Sequence, residues 1–177
     1  PAWSIPMAMP VTEFPDPRNA TPDGVVAIGG DLHPYTLVTA YRNGIFPWPA
    51  PGLPMLWFSP AERGVLEFDR LHLPRSLERA RRKTKLTFTI DRDFGNVIRM
   101  CSATPRPGQE GTWITPSIAR AYVRLNRLGI AHSVEAWDGD QLVGGIYGVD
   151  VDGAFAAESM FYRRANASKL AVLHLID

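Results

Sequence analysis

The stretch FAAESMFYRRANASK, residues 155–169, is where the reading of this chain is decided. Its first part, Phe155 to Phe161, is apolar and strand-like, and it carries one acid, Glu158. A carboxylate in an apolar strand loses hydration, so it needs a cationic or hydrogen-bonding partner. Arg163 and Arg164 follow, and Asn166 or Ser168 is placed to open a helix. Free backbone N–H groups and the macrodipole at a helix start favour an anion. One reading is a site that takes a cation on one side and a phosphate on the other. The plainer reading is that Glu158 pairs with Arg163 or Arg164 and ties down a strand end.

The residues before this stretch have a regular pattern. Thr115 is placed as an N-cap and Pro116 as the first helical residue. Ile118, Tyr122, Leu125 and Leu128 recur at helical spacing, and Gly129 closes the helix. AHSVEAW (131–137) alternates as a strand, and DGD (138–140) makes a hairpin turn. QLVGGIYGVDV (141–151) is a second strand, where Gly144 and Gly145 allow a bulge or a close backbone approach. A turn at 152–153 leads into the third strand, which ends at Phe161. The order is helix, three antiparallel strands, helix, and it resembles an acetyltransferase-like (GNAT-type) core. The last helix, ASKLAVLHLID, is apolar to its final residues without a C-cap. The expectation is a natural protein that continues, or a shortened form.

Upstream the pattern is less regular. Residues 1–24 are proline-rich and read as an extended arm. GVVAIGGDL turns into a helix with Pro34 in its first turn and Leu37, Val38 and Tyr41 on one face. IFPWPAPGLPMLWFSP (45–60) sets Phe46, Trp48, Trp57 and Phe58 among prolines that forbid a long helix. It reads either as a packed hairpin cap or as a stacking platform for a base. GVLEFD (64–69) and LTFTID (86–91) read as strands, DFGNVIRMCSA (93–103) as a short helix, and PRPGQEGTW (105–113) as a loop. LPRSLERARRKTK (73–85) reads as a helix carrying Arg75, Arg79, Arg81, Arg82, Lys83 and Lys85 against one acid, Glu78. Such a run is either a solvated face or a contact for a phosphate backbone.

The 177 residues fit one domain or one with a small companion, and 45% hydrophobic residues suffice for a core. A net charge of +1 means that any nucleic-acid contact uses a local patch. Cys101 is the single cysteine, so no internal disulfide forms. Four scattered histidines show no metal-ligand spacing. No apolar run approaches a membrane span, and the start lacks signal-peptide features, so a soluble cytoplasmic protein is expected.

YRNGIFPW (41–48), LWFSP (56–60), EGTWIT (110–115), AHSVEAW, LVGGIYGV (142–149) and ESMFYRRANASK (158–169) together resemble the leucyl/phenylalanyl-tRNA–protein transferases. The likeness is colinear over about residues 20–177. It implies an α+β protein: a small N-terminal α/β domain (1–104) and a GNAT-like domain (105–177), mainly antiparallel sheet with flanking helices. It implies transfer of leucine or phenylalanine, or methionine, from aminoacyl-tRNA to acceptor proteins with N-terminal Arg or Lys, as a degradation signal. Neither a metal nor another cofactor is implied, and a monomer is expected. By motif, Tyr41, Trp48, Trp113 and Tyr122 match positions holding the aminoacyl-adenosine end. Ile146, Phe155 and Met160 match the pocket for the transferred side chain, with Val172 and Leu175 on its wall. Glu158 matches the acidic site residue and is the candidate catalytic group. One departure is that the family's Asp-x-Gln motif, on the strand after the last helix, is absent from this sequence, and Asp177 does not replace it. Two rivals stand beside this reading: a small-molecule N-acyltransferase, which would want a glycine-rich loop where RRANAS stands, and a non-catalytic tRNA-binding fragment.

Overall fold

The computed structural model describes residues 11–105, 108 and 111–177. Part of the N-terminal arm and part of the 105–113 loop therefore lie outside the described residues. The chain divides into two compact units, Pro1–Glu62 and Arg63–Asp177.

In the first unit, β1 (Val25–Ile28), α1 (Pro34–Arg42), β2 (Phe46–Trp48) and β3 (Leu56–Phe58) form in order. The antiparallel sheet has the order β1-β3-β2. Helix α1 begins where its proline predicts. The His33 ring caps it, accepting from the Tyr35 N–H at 3.2 Å. The Asp31 carboxylate fixes the entry, accepting from the His33 N–H and the Thr36 hydroxyl at 2.8 Å each. The aromatic-proline stretch is a hairpin with Phe46 opposite Phe58 and Pro47 opposite Trp57. Trp57 is buried; its indole N–H donates to the Gly29 carbonyl at 2.8 Å, and Phe14 meets it edge-on at 4.9 Å. For Trp57 the packed-hairpin reading holds.

The second unit contains α2 (Arg75–Lys83), β4 (Thr87–Ile90), α3 (Phe94–Ala103), α4 (Pro116–Arg127), β5 (Ala131–Asp138), β6 (Gln141–Val151), β7 (Ala154–Tyr162) and α5 (Ala167–Ile176). Its antiparallel sheet has the order β4-β5-β6-β7. The helix, meander and helix read from residues 115–177 are all present, and the class is α+β. The units meet between Glu62 and Arg63, and β4 belongs to the second: it pairs with β5 from Thr87–Trp137 to Ile90–Val134, in the same sheet.

Two neighbouring glycines show how the layers stack. Successive residues of a strand face opposite sides. A Cβ on Gly144 would lie 2.6 Å from the Ala167 Cβ, so α5 covers one face there. A Cβ on Gly145 would lie 3.3 Å from Val97 and 3.2 Å from Phe161, so α3 covers the other. The anticipated bulge sits beside them: Ala136 pairs with Gly144 and Trp137 with Leu142, leaving Val143 as the extra residue.

Two sequence expectations fail. GVLEFD is not a strand. Its residues 64–67 have no regular structure, Phe68–Arg70 is a 3-10 turn, and Val65 and Phe68 are 77% and 68% exposed. β-propensity acts through packing and pairing, and no strand among the described residues pairs with this segment. Leu128 does not join the α4 core either; it is the C-cap and is exposed, whereas Ile118, Tyr122 and Leu125 are buried.

Candidate functional site

Glu158 is the extra residue of a β-bulge. The ladder between β6 and β7 runs from Gly148–Ala157 directly to Tyr147–Ser159, so nothing on β6 stands opposite Glu158. A bulge bends its strand and re-aims the side chain at the extra position, and such irregularities concentrate beside functional sites. The result differs from the buried strand acid that the sequence suggested. Glu158 is half-buried, between buried Ser159 and exposed Ala157. It lines a cavity of about 360 Å³ with Ile146, Ala157, Ser159 and Met160. Met160 stands opposite Ile146 in the ladder and keeps 43% of its surface exposed.

The apolar wall of this cavity continues into the core. Ile146 packs with Val134 and Ala171, and Phe88, Val172 and Leu175 close around them. Ile146, Val172 and Leu175, chosen from the sequence as pocket positions, therefore share one cluster. Ile146, Glu158 and Met160 share the cavity. Phe155 lies farther along β7, opposite Asp150, with its ring over Gly148.

The ring residues divide between the units. Trp113 meets Tyr122 edge-on at 6.3 Å, Tyr122 meets Tyr147 at 5.8 Å, and Tyr147 meets Phe94 at 5.7 Å. Tyr122 is fully buried in this row, so its ring holds Trp113 from behind. Sequence reasoning missed Tyr147 and Phe94 as members of the row. Tyr147 lay inside a strand already explained by its alternation. Tyr41 and Trp48 belong to the first unit and are half-buried, and Trp48 meets Phe46 edge-on at 6.4 Å.

The double arginine does not neutralise Glu158. Arg164 forms an ion pair with Asp138, and among the described residues Arg163 has no carboxylate in reach. The basic helix α2 buries none of its residues, which leaves Arg75, Arg79, Arg82 and Lys83 in solvent, and Lys85 beyond it is exposed as well. Arg81 is committed differently, in an ion pair with Asp177 at the end of α5. Among the described residues no group of three His, Cys, Asp or Glu side chains is placed to hold a metal ion.

A half-exposed carboxylate beside an apolar wall suits a ligand with an amine or cation next to a hydrophobic group. Residues 65–177 match the model of the family described as leucyl/phenylalanyl-tRNA protein transferase, and residues 30–61 match that of its N-terminal domain. The chain belongs to this family. A leucyl/phenylalanyl-tRNA–protein transferase of Anaeromyxobacter sp. (strain Fw109-5) is 54% identical over 164 residues, which cover 93% of this chain and 70% of that protein. Enzymes of the same name from Nitratidesulfovibrio vulgaris (strain DP4) and Tolumonas auensis are 54% and 52% identical. The alignments cover 92% of this chain in both cases, and 69% and 70% of those proteins. The matches to the two family models meet between residues 61 and 65, where the compact units also divide. No described helix of this family member is long and apolar enough to cross a membrane.

Proposed function

We propose that this protein transfers leucine or phenylalanine from an aminoacyl-tRNA to the N-terminal amine of an acceptor protein, making a peptide bond. Family membership supports the aminoacyl-tRNA donor and the protein acceptor. The observation that carries the chemistry is Glu158, bulged out of β7 into a cavity walled by Ile146 and Met160.

In this reading the acceptor amine, as its free base, attacks the ester carbonyl. The new C–N bond forms as the C–O bond to the ribose breaks, and the proton lost from nitrogen balances the one gained by the leaving hydroxyl. The ester is already activated, so the main requirement is position, which is worth about 7–11 kcal/mol when the reacting atoms are held in near-attack geometry. Glu158 orients the acceptor amine or the cationic side chain beside it, which fits acceptors beginning with Arg or Lys. Trp113, backed by Tyr122, holds the adenosine end of the donor. Ile146, Met160 and Phe155, with Val172 and Leu175 behind, receive the transferred side chain. Unbranched or γ-branched apolar chains such as Leu, Phe and Met fit this wall. The exposed cations of α2 contact the tRNA backbone.

The helix–meander–helix order of the second unit supports an acetyltransferase-like ancestry for that unit. The reading extends to a cytoplasmic monomer whose product carries a signal for degradation. The test is transfer of labelled leucine from leucyl-tRNA to a peptide with N-terminal arginine. Labelled peptide is expected, with much less from a peptide beginning with an acidic residue. No product above the enzyme-free control would reject the reading.

A further inference from the structure

The double arginine that drew attention in the sequence lies outside the Glu158 cavity, in a second hollow of about 580 Å³ at the end of the sheet. Asn96 and Arg99 of α3, Asp138 at the end of β5, Gln141 at the start of β6, and Arg163 and Arg164 after β7 line it. We propose that this hollow is a second contact for the phosphate backbone of the donor tRNA, with Arg99 and Arg163 as the phosphate-binding groups.

The charge balance points that way. Three guanidinium groups meet one carboxylate, and that carboxylate is taken by Arg164. Arg99 is steadied by the Asn96 side-chain oxygen at 2.5 Å, a neutral partner, and no ion pair balances its charge among the described residues. Arg163 has no carboxylate in reach among the described residues, and its backbone is pinned by an N–H bond to the Val143 carbonyl at 2.7 Å. Among the described residues, two cations on fixed roots therefore face one hollow without a counter-ion. Planar guanidinium groups match phosphate oxygens in paired hydrogen bonds. The Asn96 and Gln141 amides add neutral donors of the kind that meet ribose and phosphate oxygens. The described lining contains no aromatic ring to stack on a base. The contact is accordingly to backbone and blind to sequence.

This inference rests on the proposed donor, and its test separates the two. Binding of tRNA is measured by fluorescence anisotropy across a salt series for the full chain, Arg99→Gln/Arg163→Gln, and Arg79→Glu/Arg82→Glu. Both arginines of the new site are exposed, and thermal melting confirms that the variant folds. The double glutamine variant is expected to lose affinity roughly tenfold, as for charge-assisted bonds. Its plot of log affinity against log salt is expected to flatten by about 2, one for each phosphate contact removed. Binding of phenylalanyl-adenosine, which has no phosphate, is expected to stay the same. Unaltered tRNA affinity and slope, with the α2 variant impaired, overturn this site and leave the donor intact. Failure of the unmodified chain to bind tRNA overturns both. Micromolar binding of free pyrophosphate that the double variant loses, with tRNA binding unchanged, assigns the hollow to a small phosphate compound instead and also overturns the proposal.

Discussion

The Phe155 ring occupies the space that any side chain on Gly148 would need. A Cβ built on Gly148 would lie 2.5 Å from the Phe155 Cε1 and 2.4 Å from the Ala156 carbonyl oxygen. The pairing register slips at Gly148 as well, so glycine, ring and bulge are one device that shapes β7 next to Glu158. Gly148→Ala is expected to displace the ring and strain the backbone, at about 1–3 kcal/mol of stability for overpacking. Because Ala156 is backbone, Gly148→Ala/Phe155→Ala recovers only part of that loss. Urea unfolding of these two variants and of Phe155→Ala alone measures it. Full recovery in the double variant would mean that only the ring is crowded.

Glu158 is proposed to act on the acceptor rather than on the donor, and that separates two observables. Glu158→Gln keeps the shape and removes the charge. Misplacing a reactant by about 1 Å can cost about 10²-fold in rate. The expected outcome is a fall in turnover of about that size, with affinity for phenylalanyl-adenosine changed less than about twofold, since the donor's contacts survive. Quench kinetics with a saturating donor give the first number and calorimetry gives the second. Equal loss in both would place Glu158 on the donor instead.

The arrangement around Glu158 was only half legible in the sequence. The meander was readable because alternation in 131–137 and 141–151, together with two Asp-Gly turns, sets strand length and direction. The bulge was not, since an extra residue in a strand leaves the composition unchanged and appears only when the partner's register is known. GVLEFD misled for the related reason that a strand requires a partner. The ring row Trp113–Tyr122–Tyr147–Phe94 joins residues from two helices, a loop and a strand, and no spacing rule links them. The commitment of Arg81 to Asp177 likewise joins opposite ends of the second unit. By contrast, Pro34, Asp93 and Thr115 set helix starts through local chemistry, and those starts were readable.

Glu135 escaped notice in the sequence because AHSVEAW alternates well enough without explaining it. Its side chain is fully buried on β5. It accepts from the Thr89 hydroxyl at 2.6 Å, the Ser133 hydroxyl at 2.5 Å, and the Arg92 and Asp93 N–H groups at 3.3 and 3.4 Å. It thus fastens β4, β5 and the start of α3. Glu135→Ala leaves two hydroxyls and two backbone donors without their acceptor. The expected loss is roughly 2–4 kcal/mol, since each unsatisfied buried group costs about 1–3 kcal/mol and water enters part of the gap. Chemical denaturation of the full chain gives the value. A loss under about 0.5 kcal/mol would show that the cluster contributes nothing net.

The basic face of α2 separates binding from folding. The helix buries none of its residues, so charge reversal there leaves the core alone. Arg79→Glu/Arg82→Glu is expected to keep the melting temperature within about 2 °C, as surface changes usually stay within about 0.5 kcal/mol. The same variant is expected to weaken tRNA binding and flatten its salt dependence by about 0.9 for each duplex phosphate lost. Arg81 supplies an internal comparison. Its ion pair with Asp177 holds it against α5, so Arg81→Ala is expected to cost less tRNA affinity than Arg82→Ala. The exposed pair is worth at most about 1 kcal/mol, so Arg81→Ala lowers stability only slightly. Anisotropy and melting on the single variants check both points. Equal losses of tRNA affinity in Arg81→Ala and Arg82→Ala would mean that the ion pair opens when tRNA binds.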